Sequence, residues 1–149
     1  MSPRTRLASL ALLVENDSDT REMYAEWLVF SGFRVEEAVT VDEAIEKAHR
    51  LQPDIITTDI GLSGRGDGCD LCARLKADDR TKAIPVIAVT AWALGGHMER
   101  ARQAGCDSVL MKPCSPEQLL KEIQRLLKRP KSAASKNKKT ASSSLRSKA

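Results

Sequence analysis

The sequence predicts an α/β domain built on a doubly wound, five-stranded parallel sheet with helices on both faces. Two observations carry this. Five short apolar runs alternate with five segments of helical period. Three of the runs, ALLVE, IITTD and VIAVT, stay apolar almost to their last residue, as strands buried on both faces do. The composition agrees: 149 residues, 42% hydrophobic and 30% charged, suit one soluble core. With 3% aromatic residues, that core must be built from Leu, Ile, Val, Ala and Met.

Strands are expected at residues 11–15, 34–38, 55–59, 86–90 and 108–111. The second, RVEEA, is the more polar and suits an edge. The first helix is expected over residues 18–30, with Met23, Trp27 and Phe30 on one face and Gly32 as its stop. Thr40 and Glu43 fit a capping box opening the second helix. The third and fourth are placed at about residues 68–77 and 96–104, with Gly105 ending the latter. The fifth has Ser115 as N-cap, Pro116 at its first position and Gln118 as box partner. There is no internal repeat.

The formal charge of +4 is unevenly spread. Seven of the 24 Lys and Arg fall in residues 129–149, which hold no acid, leaving 17 basic against 20 acidic side chains in residues 1–128. The core region is therefore mildly acidic, and the basic pI is not evidence of a nucleic-acid-binding domain. Three segments follow: a flexible N-terminus at residues 1–8, one domain at 9–128 and a basic, disordered tail at 129–149, where Lys, Ser and Ala cannot repay the entropy of ordering. The tail offers nucleic acid or an acidic partner a contact through charge alone, although a solvated tail is the simpler reading without interleaved aromatic residues.

Cys69, Cys72, Cys106 and Cys114 lack the spacing of a secreted disulfide scaffold. The apolar stretch at residues 7–14 runs directly into Glu15, Asn16 and Asp17, too short to span a bilayer and without a processing site. A cytoplasmic protein without membrane association is expected. Cys69 and Cys72 have zinc or redox spacing but no second pair, so a buried, incidental role is favoured. His49 and His97 are isolated. Trp92 suits a partner anchor and a lid equally well.

Ligands of open α/β sheets bind beyond the carboxyl ends of the strands. The residues there are Glu15 and Asn16, Asp59, Thr90, and Lys112. A carboxylate can attack phosphorus to form an acyl phosphate if the charge of the incoming group is neutralised. Carboxylates and carbonyls can hold magnesium for that purpose, and a lysine and a hydroxyl can hold the phosphoryl oxygens.

ALLVEN, PDIITTDIGLSG around Asp59, IPVIAVTA through Thr90 and Ala91, and AGCDSVLMKP ending at Lys112 and Pro113 occur in colinear order. Over about residues 9–128 the sequence resembles the response-regulator receiver family of two-component signalling, in a stand-alone, CheY-like form. The resemblance implies a flavodoxin-like three-layer sandwich with strand order 2-1-3-4-5. It implies Asp59 as phosphoacceptor from a histidine kinase or phosphotransfer protein, Lys112 pairing with carboxylate and phosphoryl group, a cis Lys112–Pro113 bond, and Thr90 turning its hydroxyl to the phosphoryl oxygen beside small Ala91. Magnesium would be held by Glu15, Asn16, Asp59 and the backbone carbonyl of Gly61.

The chain departs from the family pattern in places. Asn16 stands where the family usually has a metal-binding Asp, so magnesium affinity should fall. Asp17 would cap the first helix. Val109 replaces the usual aromatic residue three before the lysine, so the segment from Thr90 to Gly96, with Gly95 and Gly96 for freedom, would carry the signal. GLSGRGDG after Asp59 has serine where proline is usual and an extra residue before Gly68. The leading expectation is a single-domain response regulator that signals to an unknown downstream protein. The alternatives are a phosphorylation-independent interaction module, and a phosphatase with an aspartyl-phosphate intermediate. The last is disfavoured because Gly61 stands where a second acid is wanted, so no enzyme turnover is expected.

Overall fold

The computed structural model describes residues 8–62, 66–91 and 96–129. Five parallel strands lie in the order β2-β1-β3-β4-β5. They are β1 (Leu10–Val14), β2 (Arg34–Ala38), β3 (Ile55–Asp59), β4 (Val86–Thr90) and β5 (Ser108–Met111), alternating with α1 (Ser18–Phe30), α2 (Val41–Leu51), α3 (Gly68–Ala77), α4 (His97–Gln103) and α5 (Pro116–Lys128). The expected fold class and strand order are those observed.

Alternation along the central strands explains their unbroken apolar runs. Ala11 and Leu13 of β1 join Tyr24, Leu28, Leu119 and Ile123 in the layer under α1 and α5. Leu12 and Val14 join Ala44, Ala48, Leu71 and Leu75 under α2 and α3. Successive residues point to opposite faces, and both faces are covered. A smaller cluster of Ile60, Cys69, Ala88 and Ala101 seats α4. The polar run RVEEA forms the edge strand β2, with Arg34 and Glu37 exposed, Val35 and Glu36 half-buried and only Ala38 buried.

β1 begins one residue earlier than expected, at Leu10, whose N–H donates to Asp54 Oδ2 at 2.8 Å. Glu15 falls just outside the strand. The fourth helix is shorter than expected, with Gly96 as its N-cap at φ +79°. The α5 capping box is complete: Ser115 Oγ accepts from Gln118 N–H, and Gln118 Oε1 from Ser115 N–H. At α2 only half of the expected box forms. Thr40 Oγ1 accepts from Glu43 N–H, but the Glu43 carboxylate turns to the N–H of Val39 instead of Thr40.

Met23, Trp27 and Phe30 do share a face of α1, and it is the outer one. Met23 and Phe30 are 44% and 83% exposed, while Tyr24, Ala25 and Leu28 are buried against the sheet. Gly32 ends the helix at φ +99°, a conformation that favours glycine. Among the described residues no helix is long and apolar enough to cross a membrane. The expectations for residues 1–7, the tail from residue 130, Ser63 in the GLSGRGDG segment, Trp92 and Gly95 lie outside the described residues.

Candidate functional site

Parallel register brings the strand ends to one edge. Val14 is paired with Thr58, Asp59 with Val89, and Thr90 with Met111. Glu15, Asp59, Thr90 and Lys112 thus stand at the ends of four adjacent strands, with Glu15 level with Asp59, Thr90 one residue further along and Lys112 two.

Lys112 Nζ lies 3.4 Å from Asp59 Oδ2 and 3.7 Å from Glu15 Oε1. One ammonium therefore faces two carboxylates. Glu15 is buried, with only 3% exposure, and Asp59 is less so. Burial pushes the Glu15 carboxyl above its usual range; the Asp17 N–H, donating to Glu15 Oε2 at 3.0 Å, and Lys112 draw it down, and the Asp59 carboxylate pushes it up. The pair holds more negative charge than Lys112 alone balances.

Thr90 is 1% exposed at the end of β4, and its carbonyl accepts from Lys112 N–H at 2.7 Å, fixing the start of the lysine loop. The Lys112–Pro113 peptide bond is cis. Gly61 is exposed, and its N–H donates to Asp59 Oδ1 at 3.4 Å. Asn16 is exposed beside Glu15. Asp17 is the N-cap of α1: its carboxylate accepts from Thr20 N–H and Thr20 Oγ1, which hold it below the usual range. It is therefore committed to the helix.

Among the described residues, no group of three or more His, Cys, Asp or Glu side chains is arranged to hold a metal ion. The reason here is composition: Glu15 and Asp59 are two acids, and the third neighbour is an amide. Two carboxylates, the Asn16 amide oxygen and the Gly61 carbonyl still make an oxygen-only donor set that suits a hard divalent cation. Cys69, Cys72, Cys106 and Cys114 are free thiols, and burial is the first cause raising the Cys69 and Cys114 thiols. Cys69 and Cys72 are both buried, as the sequence suggested.

Three further residues support the site. Arg21 Nη1 donates to the Glu15 carbonyl at 2.9 Å while its Nε pairs with Glu37, holding the end of β1 against β2. The Tyr24 hydroxyl donates to the Cys114 carbonyl at 2.7 Å across α1 and the lysine loop. Gly68 N–H donates to the Ile60 carbonyl at 2.8 Å, and the helix N-terminus passes against the Asp59 backbone. Only Gly68 had a signal, a glycine at a helix start where other residues are better formers.

Residues 11–124 match the family model of the response regulator receiver domain. This chain belongs to the response-regulator receiver family. The polar-differentiation response regulator DivK of Brucella anthropi is 34% identical over 116 residues, covering 78% of this chain and 94% of DivK. A putative response regulator from Chloroflexus aurantiacus superposes with a TM-score of 0.77 at 29% identity, over 82% of this chain and 99% of that one. The receiver domain of a Pseudomonas aeruginosa sensor histidine kinase, solved with magnesium coordinated in its active-site cleft, has a TM-score of 0.76 at 30% identity, over 82% and 99% of the two chains. Receiver domains work in two-component signalling, and phosphorylation and magnesium binding are typical of them.

Val109 occupies the receiver position three before Lys112 and packs, partly buried, against the Ile60, Cys69 and Ala101 cluster. It has no ring to reorient.

Proposed function

We propose that this receiver accepts a phosphoryl group on Asp59 from the phosphohistidine of a kinase or phosphotransfer protein and signals to a protein partner. The observation that carries the reading is the Asp59 carboxylate at a strand end, 3.4 Å from Lys112 Nζ and beside buried Glu15. An Asp59 oxygen attacks phosphorus, the P–N bond breaks, and the imidazole leaves with the bonding electrons and takes a proton. The product is an acyl phosphate on Asp59.

Lys112 stabilises negative charge on the phosphoryl oxygens, and Thr90 supplies a hydroxyl to them from β4. Glu15, Asn16, Asp59 and the Gly61 carbonyl are the residues that would hold magnesium. When bound, magnesium neutralises the phosphoryl oxygens and the excess carboxylate charge. Asn16 brings no charge, so the site is weaker than one with three acids. The change is then read at the face around α4 and α5. The chain turns over no external phosphate ester.

A second reading, a receiver that binds partners without phosphorylation, is favoured by Asn16 and Val109. Incubation with acetyl phosphate and magnesium, followed by intact-mass measurement, separates the two. A gain of one phosphoryl group that disappears in Asp59→Asn supports the first reading. An unmodified parent chain, and Trp92 fluorescence in a Trp27→Phe background that ignores beryllofluoride, would support the second.

A further inference from the structure

The outer face of α1 is an open groove in which Met23, Trp27 and Phe30 meet Pro116 of α5, with Asp19, Glu22 and Glu26 beside them. The rings of Trp27 and Phe30 lie 6.0 Å apart, and Trp27 Nε1–H is buried without an acceptor among the described residues. A half-exposed methionine, an exposed phenylalanine and a tryptophan in one strip form a face left open among the described residues.

The charge around it is unusual for this molecule. Sixteen of the 20 Asp and Glu are tied by an ion pair or hydrogen bond to a cation, a hydroxyl or a backbone N–H. The four with no such partner among the described residues are Asp19, Glu22, Glu26 and Glu117. The first three line the groove, and Glu117 follows Pro116.

The basic complement is in the same chain. Residues 130–149 carry Lys131, Lys136, Lys138, Lys139, Arg146 and Lys148 and no acid. α1 and α5 follow parallel strands and run back together from the carboxyl edge of the sheet, where Pro116 meets the first turns of α1. Their carboxyl ends therefore lie at the opposite edge, where Arg129 pairs with Asp107 just before β5. The chain leaves the fold at the Phe30 end of the groove. α1 is about 20 Å long at 1.5 Å per residue. An extended chain covers that in about six residues, so Lys136, Lys138 and Lys139 come within reach of Glu26, Glu22 and Asp19.

We propose that the segment following Arg129, residues 131–139, docks along the α1 groove of its own chain, its lysines against Asp19, Glu22 and Glu26 and its aliphatic stems over Met23, Trp27 and Phe30. Because α1 starts directly after Asp17, the docked segment shields the flank of the Asp59 site and competes with any partner that uses α1.

The test is ¹⁵N NMR on the full chain, comparing the parent with a Lys136→Glu, Lys138→Glu, Lys139→Glu variant. The expected result is a displacement of the amides of residues 19–30 and of the Trp27 indole N–H, with the β1 and β3 amides unmoved. Raising the salt to about 1 M, where the screening length falls to about 3 Å, should move the parent spectrum the same way. The displacement should not depend on protein concentration. In a Glu22→Lys, Glu26→Lys variant, the tail resonances should shift as they do in high salt. Identical α1 resonances in parent and tail variant would overturn the proposal. So would displacements that grow with concentration, which would make a second copy the occupant, or tail resonances that respond only to an added DNA duplex.

Discussion

Gly68 stands so close to Asp59 that a Cβ built on it would lie 2.4 Å from the Asp59 carbonyl oxygen and 2.8 Å from Ile60 Cα. The neighbours are backbone atoms of the strand end that carries the proposed phosphoacceptor, so they cannot turn aside as a side-chain tip can. Gly68→Ala must move α3 or the end of β3. A loss of about 1–3 kcal/mol is expected, seen as a lower urea midpoint with unchanged slope. Wild-type stability in this variant would mean that the α3 entrance is pliable.

Asn16→Asp adds a charge to the proposed cation site at an exposed position, where the substitution costs the fold little. Magnesium affinity should rise about tenfold, near 1.4 kcal/mol, measured by calorimetric titration. Weaker or unchanged binding would remove Asn16 from the set of proposed ligands.

Tyr24→Phe deletes the hydrogen bond to Cys114 and leaves that carbonyl buried without its donor. Destabilisation of about 1–3 kcal/mol is expected, with faster amide exchange at Cys114 and Ser115. The coupling matters because this loop begins at Lys112, so phosphorylation should also slow.

Glu122 supplies the pH dependence. Its carboxyl is held below the usual 4.5, first by Arg125 and also by Ser108 of β5, with burial opposing. A carboxylate lowered in the folded state stabilises fully above its unfolded value, and that contribution fades as pH falls through the folded value. Glu122→Gln should therefore be less stable than the parent at pH 7, with the gap closing below about pH 4. Urea unfolding at pH 7, 5 and 3.5 checks this; a constant gap would contradict it.

Much of the site was legible because its residues sit at ends of apolar runs. A parallel sheet aligns those ends by hydrogen-bond register, so Glu15, Asp59, Thr90 and Lys112 could be placed at one edge from spacing alone. The family resemblance, rather than spacing, placed Asp17 as a helix cap and not a third site acid. The direction of the α1 stripe was less legible. Met23, Trp27 and Phe30 satisfy helical period as well as Tyr24 and Leu28 do, and hydrophobicity favours burying the larger set.

The amino-acid sequence by itself determined the element order, most element bounds, the N-caps of α2 and α5 and the chemistry at the strand ends, since these depend on local periodicity and on neighbours a few residues away. Tertiary structure alone decided which face of α1 is buried, that Gly68 must lack a side chain, and that Arg21 and Tyr24 hold the site from outside it. Those outcomes depend on atoms brought together from distant parts of the chain, such as residues 24 and 114, whose meeting is set by how layers pack and not by any local pattern.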